Sequence, residues 1–258
     1  MTSTPATAVR PPPPGGALLA VTGASGGLGA SVVTAALAVR AVAVGRGTVA
    51  VDLDPLGGGL DIVLGLEQTP GTRWSDLGAL DGEADGEAVL PTLPRADGVR
   101  VLSYGRHGEP VPPQVVGALL RALVAVCDLV VLDLPRADRM PGGAPPLDLH
   151  LVLAGTSLTQ VAALSAVLGM LSRPDGTGVL LRARSASDPE AGALVPVVQA
   201  QLGAPVWGIV PDDRSVPADL THGFAPGRRP GPFVRALDPV LARVLAHVPA
   251  HHPRPAPA

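Results

Sequence analysis

Thr22-Gly23-Ala24-Ser25-Gly26-Gly27-Leu28-Gly29-Ala30-Ser31 is the stretch on which the reading of this 258-residue chain turns. An apolar run at 17–22 precedes it, and a segment rich in Ala and Val at 29–44 follows. A strand, a glycine loop and a helix in that order gather backbone N–H groups and the positive end of a helix dipole around one point. That arrangement suits a phosphate. The loop alone does not say which nucleotide the phosphate belongs to.

Outward from the loop, short apolar runs alternate with helical segments. Strands are expected at Thr48–Asp52, 99–103, 128–133, Leu149–Ala154, 179–182 and 206–210, with helices at 112–126, 157–171, near 194–202 and at 232–247. Shorter helices are expected at 60–66 and 73–77. Such alternation predicts an α/β fold: a three-layer, doubly wound, mainly parallel sheet of about seven strands. Ligands of these sheets bind at the carboxyl ends of the strands. Residues 1–16 and 249–258 are Pro-rich and read as disordered tails around one domain at 17–248.

Composition narrows the function. Apolar residues make up 47% and aromatics 2%, so the core is built from Val, Leu and Ala. A net charge of −3 gives no reason to expect specific nucleic-acid or anionic-lipid binding. No apolar stretch is long enough to span a membrane, and no secretory signal pattern opens the chain, so a cytoplasmic protein is expected. The single cysteine, Cys127, reads as a small buried hydrophobe. His222, His247, His251 and His252 lack metal-ligand spacing. All 19 basic residues are arginine, and the chain has no lysine and no asparagine, which removes every mechanism that needs either.

Two families share the glycine pattern. The loop resembles the TGxxxGxG cofactor turn of the short-chain dehydrogenases, and Asp52 would then bind a ribose hydroxyl. That family's catalysis uses a Tyr-x-x-x-Lys pair. Here the one tyrosine, Tyr104, has His107 three places later. On this reading the chain is a non-catalytic dinucleotide binder.

The loop also resembles the KGGxGK[ST] P-loop of the ParA/MinD ATPases. Ser25-Gly26-Gly27-Leu28-Gly29-Ala30-Ser31 matches every glycine and the final hydroxyl, with Ser25 and Ala30 where that family has lysines. Asp52-Leu53-Asp54-Pro55 is similar to its DxD segment, and Asp133-Leu134-Pro135 to its DxP segment. Pro211-Asp212-Asp213 looks like the turn that borders adenine. Within the family, Arg73-Trp74-Ser75-Asp76-Leu77 and Asp212-Asp213-Arg214 resemble the CpaE-like, septum-site-determining group of actinobacterial type.

The resemblance implies ATP or ADP with Mg²⁺. Gly23, Ser25, Gly26, Gly27, Gly29, Ala30, Ser31, Val32, Pro211, Asp212 and Asp213 would line the nucleotide, and Ser31, Asp54 and Asp133 would serve the metal. Asp54 would stand on the side of the γ-phosphate and its attacking water. With both lysines replaced, the expectation is weak or lost hydrolysis. The implied role is positioning or regulating division-septum or pilus/secretion machinery. It implies protein partners, a homodimer, and peripheral recruitment to the membrane or septum.

Overall fold

The computed structural model describes residues 15–78, 83–105, 111–136, 140–171 and 176–248. The segments 1–14 and 249–258, with His251 and His252, lie outside the described residues, as does His107.

Eight strands form one sheet among the described residues: β1 (Ala17–Gly23), β2 (Thr48–Asp52), β3 (Arg95–Ala96), β4 (Val99–Leu102), β5 (Leu129–Asp133), β6 (Leu149–Ala154), β7 (Thr177–Ala183) and β8 (Val206–Pro211). Their order is β3-β4-β2-β5-β1-β6-β7-β8. Every pairing is parallel except that of β3 with β4. The central strands are buried on both faces, which is why they read as unbroken Val/Leu/Ala runs rather than alternating ones.

The helices are α1 (Ala30–Ala43), α2 (Leu60–Val63), α3 (Trp74–Leu77), α4 (Gly86–Val89), α5 (Pro113–Val126), α6 (Leu158–Met170), α7 (Pro189–Leu202), α8 (Ser215–Thr221) and α9 (Pro232–Ala246). One face of the sheet carries Leu19, Val21, Leu151 and Leu153, packed with α1 and α9. On the other face Leu18 and Ala20 pack with α5, and Val152 and Ala154 with α6 and α7. Three layers result, as the alternation predicts. The chain goes one way from β1, to β2, and crosses to the far side of β1 after β5, at β6. The crevice at the carboxyl end of β1 is therefore the topological switch point.

The sequence reading differs from the fold in detail. The hairpin strand β3 is an eighth strand, only two residues long and below what periodicity resolves. Helices α4 and α8 are likewise additional. Helix α7 begins at Pro189, not near Leu194, because Asp188 caps it by accepting from the amides of Glu190 and Ala191. Proline at the first helical position is well tolerated there, since its missing N–H has no intrahelical partner. Trp207 packs against the sheet: a Cβ on Gly178 would lie 2.4 Å from its ring.

Trp74 is the largest fully buried side chain, and its indole Nε1 donates to the Asp52 carbonyl at 2.7 Å. Trp74→Ala should therefore cost about 3–5 kcal/mol of stability, as large-to-small core changes do. Trp74→Phe should cost less, roughly 1–3 kcal/mol, through the orphaned carbonyl. Urea unfolding of the purified variants measures both.

Candidate functional site

β1 ends at Gly23, and the loop that follows turns on two glycines in the left-handed region, Gly27 at φ 76° and Gly29 at φ 79°. A side chain at either would be strained. Gly29 is also the N-cap of α1 and supplies no side chain to the first-turn N–H groups. Those donors are left for something outside the helix. A Cβ added at Gly26 or Gly27 would meet nothing within 4 Å, so the space above the loop is open. The Ser25 hydroxyl is buried in the loop with no hydrogen-bond partner among the described residues. Ala30 and Ser31 open the helix, and Val32 packs partly buried against the core.

The strand ends bring two carboxylates to this loop. Asp52 and Asp133 are Cα partners on the neighbouring strands β2 and β5. Both are buried, at 1% and 6% exposure. Burial pushes Asp52 up to about 7. The amides of Leu60 and Asp54 pull the other way, and the charges of Asp133 and Asp54 add to the rise. Burial likewise pushes Asp133 up to about 6, against a hydrogen bond from Ser31 and with the charge of Asp54 raising it further. Ser31 and Asp54 thus both lie close enough to Asp133 to act on it beside the glycine loop.

Asp52 is not presented to a ribose: it is buried, at 1% exposure. Its Oδ1 accepts from Asp54 N at 2.9 Å and its Oδ2 from Leu60 N at 2.9 Å, so both oxygens are used inside the protein. The carboxylate fastens the segment after β2 instead. Asp54 is half-buried; its Oδ1 accepts from Leu56 N at 3.1 Å, and its other oxygen lies 3.0 Å from where a Gly57 Cβ would stand.

These residues fit Mg²⁺. Among the described residues no group of three or more His, Cys, Asp or Glu is placed to hold a metal. Mg²⁺ needs no such cage: it keeps several waters and takes one or two carboxylates plus substrate phosphates. Asp133 and the Ser31 hydroxyl that it accepts from are the two groups available to it. His222 and His247 hydrogen-bond the carbonyls of Ala218 and Arg243, one turn back on their own helices.

A cavity of about 240 Å³ opens on the other side of the loop. Gly27 and Leu28 form one wall; Gln160 from the start of α6, Arg182 and Arg184 from the end of β7, and Asp212 after β8 form others. Arg182 Nη2 donates to Asp212 at 2.8 Å and its Nη1 to the Pro211 carbonyl at 3.3 Å. Asp213 turns away from the cavity. Its Oδ1 accepts from Ser215 and its Oδ2 from Phe233 N, which joins α8 to α9. The sequence reading did not single out Arg182 and Arg184. The available signal was two arginines at the carboxyl end of a predicted strand.

The buried carboxylates set a pH dependence. Asp52 holds its proton in the folded state up to about pH 7, whereas the unfolded chain releases it near pH 4. Folding therefore binds protons in that window, and stability falls as pH rises through it. His150, lowered to about 4 by burial beside Thr22, acts the opposite way below about pH 6.5. Comparing Asp52→Asn with the parent removes that overlap. The variant loses one acceptor and, being neutral, buries no charge at any pH. Its stability relative to the parent should improve by several kcal/mol between pH 5 and pH 8, at about 1.4 kcal/mol per pKa unit. Urea midpoints across that range provide the measurement.

No family model matches the chain. It is 31% identical over 229 residues to the uncharacterized protein Rv3660c of Mycobacterium tuberculosis, across 88% of this chain and 63% of the relative. The chain thus spans less than two thirds of that relative's length. Among solved structures it is similar to MinD in the MinC:MinD cell division complex of Aquifex aeolicus, at TM-score 0.73 and 18% identity, over 93% of this chain and 98% of that one. It is also similar to the septum site-determining protein MinD of Pyrococcus horikoshii complexed with Mg-ADP, at TM-score 0.70 and 20% identity, over 89% and 97%. The eight-stranded sheet, its helices and its glycine loop have the P-loop fold of the ParA/MinD ATPases.

Proposed function

We propose that this chain is a P-loop protein that binds ATP or ADP with Mg²⁺, hydrolyses it weakly or not at all, and works by engaging protein partners. The observation that carries the reading is the junction of the glycine loop with Asp133, where Ser31 at the start of α1 stands beside a buried carboxylate at the switch point of the sheet. The amides of Gly26, Gly27 and Gly29 and the open α1 terminus would hold phosphate oxygens. Ser31 and Asp133 would hold Mg²⁺, which supplies positive charge to the phosphates. Asp54 stands on the same side and would face the attacking water.

Ser25 and Ala30 carry no charge where the resembling family has lysines. A preorganised cation aimed at developing charge supplies several kcal/mol of transition-state stabilisation. Its loss weakens turnover far more than it weakens binding. A chain that keeps the cradle and loses that charge suits a nucleotide-responsive regulator.

The role of that regulator is positioning division-septum or pilus/secretion machinery. The reading within the CpaE-like, septum-site-determining group rests on the segments at 73–77 and 212–214. The Aquifex aeolicus MinD fold occurs in complex with MinC, which supports a protein partner; a homodimer fits the same reading. No helix among the described residues is long and apolar enough to cross a membrane; the reading includes peripheral recruitment to the membrane or septum. The dinucleotide-binding alternative is disfavoured because both Asp52 oxygens are occupied by backbone amides.

Calorimetric titration with ATP·Mg²⁺, ADP·Mg²⁺ and NAD(P)H tests the reading. ATP·Mg²⁺ should bind, Asp133→Ala should weaken it by 10-fold or more, as loss of a hydrogen-bonded charge does (about 1.5–3 kcal/mol), and turnover should be near background. Binding of NAD(P)H alone would overturn it.

A further inference from the structure

The chain contains no lysine, so any permanently charged side-chain cation of this chain at a phosphate on the glycine loop must be an arginine. The cavity beside the loop holds two, Arg182 and Arg184, facing the wall formed by Gly27 and Leu28. They differ in what they already do. Arg182 is committed to Asp212 and the Pro211 carbonyl, and its side chain is only 21% exposed. Arg184 is exposed, and its guanidinium makes no hydrogen bond or ion pair among the described residues. Only its backbone amide is used, donating to Asp188 Oδ2 at 3.3 Å.

The cavity also carries acidic groups. Asp212 is neutralised by Arg182. Asp188 is occupied as the cap of α7, accepting from the amides of Glu190, Ala191 and Arg184, and its charge sits favourably on the helix dipole. Glu190, exposed on the first turn of α7, is the anion left over. One uncommitted guanidinium and one uncommitted carboxylate therefore flank the open side of a phosphate cradle. A guanidinium fork matches phosphate oxygens in pairs and keeps its charge at any physiological pH.

We propose that Arg184 is the phosphate-binding cation of this site, delivered from the end of β7 in place of the loop lysine that Ala30 lacks. This rests on the reading of the glycine loop as a nucleotide site. Arg184 acts from across the cavity, not from the loop, so it adds binding without placing a charge where a loop lysine would sit.

The test is calorimetry on the full chain with ATP·Mg²⁺, using Arg184→Gln, Glu190→Gln and the double variant Ala30→Lys/Arg184→Gln. Arg184→Gln should weaken binding roughly 10- to 100-fold, the size of one charged hydrogen-bonded contact. Glu190→Gln should tighten it, and Ala30→Lys should restore it in the Arg184→Gln background. Unchanged affinity in Arg184→Gln would overturn the proposal while leaving the nucleotide site standing. Failure of Ala30→Lys to rescue a weakened but folded Arg184→Gln would also overturn it. No ATP binding by the parent chain would overturn the nucleotide reading itself, and this proposal with it.

Discussion

Two carboxylates lie buried side by side at the carboxyl ends of β2 and β5, and the rest of the site follows from how each is satisfied. A parallel strand covered on both faces must be apolar along its length, so its first polar residue falls where it leaves the sheet. Register places Asp52 opposite Asp133 at that exit. Ionising either one in this setting is costly unless donors or a cation surround it. Asp52 is served by two backbone amides that the chain itself brings back. Asp133 has only the Ser31 hydroxyl beside it as a donor among the described residues. The same residue type at the same height in the sheet is saturated by backbone amides in one strand and not in the next.

The glycine loop shows the converse division. Its donors are backbone amides, which a substitution at Ser25 or Ala30 does not remove. Phosphate recognition by N–H groups and a helix terminus therefore survives changes that delete side-chain charge. Charge focused on a transferring phosphoryl group does not survive them. On the proposed reading, binding and turnover would separate along a chemical line, amide against ammonium.

Much of this was legible in the sequence because it depends on local pattern. The order of glycine loop, Asp52-Leu53-Asp54 and Asp133-Leu134-Pro135 needs only strand ends to be read, and buried strands announce themselves by composition. What was not legible depends on partners distant in sequence. Asp52 looked free to bind a ribose because the amide of Leu60, 8 residues on, gives no sign that it returns. The pairing of Arg182 with Asp212 spans 30 residues and joins two separate strand ends. The two-residue strand β3 and the four-residue helix α4 are shorter than any period that would reveal them. The early start of α7 was readable, since Asp188-Pro189 is a cap followed by a first-turn proline.

The segment after β2 shows how one residue carries local order into the site. Asp52 Oδ2 holds the start of α2 through Leu60 N, and the Asp52 carbonyl holds α3 through the indole of Trp74. Between these two anchors, Arg73 donates to the carbonyls of Leu66 and Thr69 and closes the turn from within. Asp54, two residues past Asp52 and bonded to it through its own amide, has its backbone fixed by the same clamp. Its carboxylate is held both by packing that begins at a tryptophan in the core and by its own bond from Leu56 N. Residues 60–77 thus help fix Asp54 beside the glycine loop through their anchors on Asp52.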